Sequence, residues 1–125
     1  MEKQLKLKET EDTPVVVFDT DKNEFSLSGR SLPEDAAGFY RPLIAWMREY
    51  AKSPNEQTEF QVKLQYFNSS SVKQVLDLLV ILEEIIANGK QAKIIWCYSE
   101  DDDLMEIKGR EFQGMLNVPF ELKVI

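Results

Sequence analysis

A chain of 125 residues has room for one hydrophobic core, and its 43% hydrophobic and 30% charged residues are typical of a globular domain. The formal net charge of −7 argues against binding to nucleic acid or to an anionic membrane surface. Proteins bind both of those partners through clusters of Lys and Arg. A chain with an excess of acidic residues is not expected to form such clusters.

The N-terminal end is polar, and we predict a flexible leader over residues 1–12 followed by a single domain over residues 13–125. The leader lacks the apolar core of a signal peptide, and no run of apolar residues is long enough to cross a bilayer. Cys97 is the only cysteine, so an internal disulfide is excluded. We therefore expect a cytoplasmic protein.

A β-hairpin is predicted first, with strands at residues 15–18 and 24–28 joined by a turn at residues 19–23. The turn resembles the first half of a calcium-binding loop. However, Glu24 stands where such a loop requires glycine, and Arg30 stands where it requires an acidic ligand. We expect a turn without a metal.

A helix is predicted next, because Ser31, Pro33 and Glu34 match the capping-box pattern. In this interpretation Ser31 caps the helix and Glu34 bonds back to it. Apolar residues then follow helical spacing to about Lys52, and Pro42 is expected to kink the helix or to start a fresh turn.

The remaining elements alternate between strand and helix. We predict a half-buried strand at residues 60–66, an apolar helix at about 70–88, an interior strand at 92–98, a helix that begins at the acids 101–103, and a final strand at 120–125. The order β-β-α-β-α-β-α-β predicts an α/β fold, with a mixed sheet of about five strands and three main helices.

Little in the chain indicates catalysis. There is no histidine, which removes the commonest general base and the commonest metal ligand, and the glycines form no phosphate-binding loop. Cys97 lies inside an apolar strand, so we interpret it as a core residue. The acids at residues 100–103 are explained by the start of a helix, although such a cluster also suits magnesium. We expect no enzymatic activity, no catalytic residue, no cofactor and no metal site.

The junction Tyr66-Phe67-Asn68-Ser69-Ser70-Ser71 places three hydroxyls where a strand ends and a helix begins. The first N–H groups of a helix have no intrahelical partner, and this end of the helix attracts anions. A serine there either caps the helix or accepts a phosphate. Ser and Asn are preferred caps, so the local sequence alone favours capping.

Several segments together resemble the SiaC family of bacterial regulatory phosphoproteins, and the resemblance extends from Thr13 to the end of the chain. The segments are Thr13-Pro14, Phe18-Asp19, residues 28–36 (SGRSLPEDA), 39–42 (FYRP), 66–71 (YFNSSS), 94–98 (IIWCY) and 118–121 (VPFE). The resemblance implies a fold similar to the STAS domains of anti-anti-sigma factors. It also implies a Ser/Thr kinase and a PP2C-like phosphatase that act at a helix start. The unphosphorylated form would bind a partner, most often a diguanylate cyclase in cyclic di-GMP signalling and biofilm control.

By this resemblance the phosphoacceptor is Ser69, directly after Asn68, and Ser70 is the alternative acceptor. Many relatives carry threonine at the acceptor position, and serine keeps the hydroxyl. Residues expected to support the phosphosite or to contact a partner are Asn68, Ser71, Lys73 and Arg30.

Three other functions stay open at this point. The first is an anti-anti-sigma-type adaptor that binds a serine kinase or an anti-sigma factor in place of a cyclase. The second is a small-molecule-binding or enzymatic domain, which requires an enclosed pocket with convergent polar groups. The third is a structural or dimerising domain in which the serines are only caps.

Overall fold

The computed structural model describes residues 2–125, which form a six-stranded sheet and four helical segments. In chain order these are β1 (Gln4–Leu7), β2 (Val15–Asp19), β3 (Glu24–Ser31), α1 (Ala36–Lys52), β4 (Gln57–Phe67), α2 (Ser69–Val80), α3 (Leu82–Ala87), β5 (Gln91–Tyr98), α4 (Asp103–Met115) and β6 (Phe120–Val124). Across residues 2–125, no helix is both long enough and apolar enough to span a membrane.

The strands lie side by side in the order in which they occur along the chain. The pairs β1–β2 and β2–β3 are antiparallel, and β3 to β6 are parallel, each joined to the next through a helix. The predicted single-domain α/β fold with a mixed sheet is confirmed, and it is compatible with a STAS-like arrangement. β5 is an interior strand, as predicted.

The expected number of about five strands is too low by one. Residues 4–7, inside the predicted flexible leader, form β1 and pair with β2, with Leu5 opposite Phe18. Leu5 packs against the core, while its neighbours in β1 are exposed. A short edge strand with one inward side chain carries too weak a hydrophobic alternation to be recognised in the sequence. The domain boundary at residue 13 stays a prediction.

The core lies between one face of the sheet and the helices. Phe18, Phe25, Phe60 and Ile94 occupy one row across four neighbouring strands, and all are fully or almost fully buried. Buried residues of all four helices belong to the same cluster. The helices therefore cover this face of the sheet in a two-layer arrangement.

The helix after the hairpin starts later than the capping box predicts. Its N-cap is Asp35, whose Oδ1 accepts the N–H of Gly38 at 3.0 Å. The predicted cap, Ser31, is instead the last residue of β3, where it pairs with Phe67 of β4. The tertiary pairing keeps Ser31 in the sheet, so the local capping pattern is overridden. The helix continues past Pro42 to Lys52.

The apolar helix predicted near residues 70–88 is present as α2 and α3, which are separated by Ile81. Its wide apolar arc is covered on two sides, because α2 contacts α1 while α3 contacts both α1 and β5. Ser69 to Ser71 therefore start a helix that is anchored along its whole length by core residues, including Val75, Leu78 and Leu79.

Trp96 anchors the end of the sheet that carries α4 and β6. Its side chain is fully buried, and its Nε1 donates to the backbone oxygen of Met105 at 3.0 Å. Gly109 passes so close that a Cβ there would lie 2.6 Å from Trp96 Cδ1.

The neighbouring Cys97 is buried, and burial raises the pKa of its thiol. The thiol is therefore kept in its unreactive protonated form, in agreement with a core role.

Candidate functional site

The strand–helix junction predicted to carry the regulatory serines lies where β4 ends and α2 begins. Phe67 closes β4 with a buried side chain, and α2 starts two residues later at Ser69. The N–H of Asn68, between them, donates to the backbone oxygen of Ser31 at 3.0 Å. The end of β3 therefore holds the junction in place, at the carboxyl edge of two parallel strands.

Asn68 is the N-cap of α2. Its backbone is extended, and its Oδ1 accepts the N–H of Ser71 at 3.0 Å. The same Oδ1 also accepts the hydroxyl of Ser70 at 3.1 Å. The capping bond thus belongs to Asn68, and Ser69 is left as the first residue of the helix.

The three serines have different environments. Ser69 and Ser70 are exposed, whereas Ser71 is fully buried at 0% exposure. A kinase therefore has access to the first two hydroxyls and not to the third. Ser69 occupies the first helical position, close to the N–H groups that have no intrahelical partner. Ser70 uses its hydroxyl as a donor to Asn68, and a phosphorylated Ser70 has no proton for that bond.

The charge at the start of α2 is unusual within this fold. Its cap is a neutral asparagine, and its first turn contains no acidic side chain. In contrast, α1 is capped by Asp35, and the first turns of α3 and α4 contain acids such as Glu83 and Asp103. Negative charge is favourable at a helix N-terminus, and at α2 none of the helix's own first-turn side chains supplies it.

A buried network of three hydroxyls lies beneath the junction. Ser31 Oγ and Tyr40 OH are 2.6 Å apart, and Ser31 Oγ donates to Ser71 Oγ at 3.0 Å. All three side chains are completely buried. The network joins the end of β3, the helix α1 and the first turn of α2. Neither Ser31 nor Tyr40 was predicted to have this role, because hydroxyls far apart in the sequence give no local signal.

Burial raises the pKa of the Tyr40 phenol to about 12, while the hydrogen bond with Ser31 opposes that shift. The folded protein therefore holds this proton more tightly than the unfolded chain does. The contribution of Tyr40 to stability is complete below about pH 10 and is lost as the pH rises toward about 12. Comparing absorbance titrations of the native protein and Tyr40→Phe will test this. The phenolate absorbance that Tyr40→Phe lacks should develop near pH 12 in the native protein. If that absorbance develops near pH 10 instead, the buried network is contradicted.

Arg30 and Tyr66 form an exposed pair beside the junction. They are partners in the β3–β4 register, and the Arg30 guanidinium carbon lies 5.9 Å from the centre of the Tyr66 ring. The alternation of the buried residues Phe60, Val62 and Leu64 would place Tyr66 on the inner face of β4, but its side chain is 48% exposed. The register shifts after Gly29, so Phe67 takes the inward position and Tyr66 turns outward.

Lys73 is exposed on α2, four residues after Ser69 and therefore on the same side of the helix. Its predicted role near the phosphosite stays a prediction, as does the partner role of Arg30. Ser71, expected to support the site, lies beneath it in the buried network and not on the surface.

Two acids of the cluster at residues 100–103 form the start of α4. Asp102 caps α4 by accepting the N–H of Met105 at 3.0 Å, and Asp103 lies in the first turn of that helix. Within residues 2–125 no group of three or more acidic or cysteine side chains is arranged to hold a metal ion. Asp102 and Asp103 therefore stabilise the start of α4, one as the cap and the other through the helix dipole.

The chain is similar to known proteins over almost its whole length. The family model described as SiaC family regulatory phosphoprotein matches residues 7–125. An uncharacterised protein of Pseudomonas aeruginosa strain UCBPP-PA14 is 26% identical over 114 residues, covering 91% of this chain and 90% of the relative.

Two solved structures are similar over almost the whole chain. The crystal structure of apo-SiaC from Pseudomonas aeruginosa is 26% identical, with a TM-score of 0.87 and coverage of 97% of this chain and 98% of the other. A chain in the crystal structure of the diguanylate cyclase SiaD in complex with its activator SiaC, also from Pseudomonas aeruginosa, is 26% identical. Its TM-score is 0.89, and 97% of this chain and 99% of that chain are covered. The present chain belongs to the SiaC family of regulatory phosphoproteins.

Proposed function

We propose that this protein is a cytoplasmic, non-enzymatic signalling adaptor whose unphosphorylated form binds and activates a diguanylate cyclase. The observation that carries the proposal is the similarity, over 97% of the chain, to a chain in the complex of SiaD with its activator SiaC. In this role the protein controls cyclic di-GMP production through contact with the cyclase and performs no chemistry of its own.

The surface that we propose for the partner surrounds the start of α2. It consists of the exposed residues Arg30, Tyr66, Ser69 and Ser70. Arg and Tyr are enriched among the residues that dominate binding energy at interfaces. Their stacking in the free protein reduces the entropy lost when a partner packs against them.

Ser69 is the proposed phosphoacceptor within this surface. Its exposure allows a Ser/Thr kinase and a PP2C-like phosphatase to reach it, and its position at the helix start favours an anion. We expect a phosphate there to stabilise the helix by about 0.3–2 kcal/mol, since it complements the dipole and the free N–H groups. Phosphorylation then leaves the fold intact and acts on the partner.

Binding to a cyclase encoded in the same genome tests the proposal. Unphosphorylated protein is titrated into the cyclase while the conversion of GTP to cyclic di-GMP is measured. We expect the rate of cyclic di-GMP formation to rise with the concentration of added protein and then to saturate. Tyr66→Ala should weaken binding by about tenfold or more while its circular dichroism spectrum is unchanged. Lys22→Ala, an exposed change in the β2–β3 turn, serves as the control and retains full binding.

Two outcomes would overturn the cyclase as partner. One is the absence of binding and of any rate change across the cyclases of that genome. The other is capture of an anti-sigma factor or serine kinase by the unphosphorylated protein, which would establish the anti-anti-sigma alternative.

A further inference from the structure

The two edges of the sheet differ in their ability to pair with a copy of themselves. β6 forms one edge and β1 the other, because the strand order follows the chain. An open edge presents unpaired N–H and C=O groups and invites another strand to add to the sheet. This question is separate from the phosphosite, since β5 lies between β6 and the strand that leads to Ser69.

The hydrogen bonds to β5 show which backbone groups of β6 face outward. Pro119 O accepts from Ile94 N at 2.9 Å, and Ile125 N donates to Tyr98 O at 2.9 Å. Odd-numbered residues in this stretch therefore bond to β5, and the groups of Phe120, Leu122 and Val124 point to the open edge. The carbonyl of Phe120 confirms this direction, because it accepts the Gln113 side chain from outside the sheet at 3.4 Å.

We propose that the β6 edge is a homodimer interface, in which two copies pair antiparallel about a two-fold axis at Leu122. This register makes Leu122 of one protomer a hydrogen-bonded pair with Leu122 of its partner. Phe120 then lies opposite Val124 of the partner, and Glu121 lies opposite Lys123 of the partner. Every pair is thus either apolar or oppositely charged.

The charges in this register support the pairing. Glu121 and Lys123 are both exposed, and they fall at non-hydrogen-bonded positions, where side chains across two strands are closest. Lys93 already donates to Glu121 at 2.7 Å and lowers the pKa of its carboxyl, so Glu121 is ionised at neutral pH. Because the axis is two-fold, the interface contains two such contacts between Glu121 of one protomer and Lys123 of the other.

The apolar residues of the edge also favour the interface. Val124 is 51% exposed, although it is part of a strand, and pairing places Phe120 of the partner across from it. β1 lacks this complementarity, since its stretch from Lys3 to Lys8 contains three lysines and no acid. Self-pairing is therefore specific to the β6 edge. A five-residue strand pair is a small interface, and we expect a weak, reversible dimer.

Charge reversal provides the test. Sedimentation velocity of the full chain to about 1 mM, the range of weak association, should show a monomer–dimer equilibrium. Lys123→Glu and Glu121→Lys each replace two attractive pairs with two repulsive ones, and each should raise the dissociation constant by about tenfold or more. An equimolar mixture of the two variants should associate again, because both cross-strand pairs are then oppositely charged.

Two further measurements make the result specific to this edge. Lys63→Glu carries the same change of charge at an exposed position of β4 and should dimerise like the native protein. Amide exchange should slow with concentration at Phe120, Leu122 and Val124. A native protein that is monomeric throughout, a dimer insensitive to both reversals, or variants that fail to associate on mixing would overturn the proposal.

Discussion

Phosphorylation of Ser69 is expected to weaken the complex with the diguanylate cyclase by roughly a hundredfold or more, while the fold stays intact. Within the protein, the added charge lies at a helix start that has a neutral cap and no first-turn acid, so it is mildly favourable. In a dry interface the same dianion must lose its hydration shell. Without a cation from the partner that loss costs several kcal/mol, which exceeds the favourable intramolecular effect.

Affinity measurements on defined phosphoforms test this expectation. Native protein is compared before and after treatment with its kinase, and Ser69→Ala is carried through the same treatment. Because Asn68 supplies the capping bond, Ser69→Ala should fold normally and bind equally well in both states. Ser70→Ala is the matched control and should remain sensitive to the kinase. Equal affinity of the two native phosphoforms would show that phosphate does not control this complex.

Ser31→Ala is expected to lower the free energy of unfolding by about 2–6 kcal/mol, which is large for the loss of one oxygen atom. The substitution removes the partner of two completely buried hydroxyls, Tyr40 OH and Ser71 Oγ. Each buried polar group left without a hydrogen bond costs roughly 1–3 kcal/mol. The effect extends to the site, since Ser71 belongs to the first turn of α2.

Urea unfolding of Ser31→Ala measures this effect. The exposed control Ser69→Ala should have a free energy of unfolding within about 0.5 kcal/mol of the native value. The double variant Ser31→Ala/Tyr40→Phe should recover part of the loss, because it removes one of the unpaired hydroxyls. Amide exchange at Ser71 should be faster in Ser31→Ala than in native protein. The network contributes little if Ser31→Ala lowers the free energy of unfolding by less than about 1 kcal/mol and this loss adds to that of Tyr40→Phe in the double variant.

The order of elements was predictable because most of them carry strong hydrophobic periodicity. The alternation in β4 and the continuous apolar run of β5 both predict strands that the structure contains. β1 was missed, since it has one inward side chain and takes its stability from pairing with β2. A strand that is stabilised mainly by pairing with another strand cannot be recognised from the pattern of its own few residues.

Errors near the site have the same origin. Ser31 fits a capping box, but its backbone is held in the sheet by Phe67, which lies 36 residues away. Tyr66 fits the alternation of β4, but a register shift against β3 turns it outward beside Arg30. The motif correctly predicted that a strand ends and a helix begins at residues 66–71, and its regulatory role stays a prediction. It did not distinguish buried Ser71 from exposed Ser69 and Ser70, because that difference depends on how α2 packs.

The central claim is that the exposed hydroxyl of Ser69 accepts the phosphate. Fragmentation mass spectrometry of the full chain after reaction with its cognate kinase tests this claim most directly, with Ser69→Ala and Ser70→Ala treated in parallel. We predict one phosphate on Ser69 in the native protein, the same product in Ser70→Ala, and none in Ser69→Ala. A Ser69→Ala protein that becomes fully phosphorylated, or a native phosphate on Ser70 alone, would contradict the account.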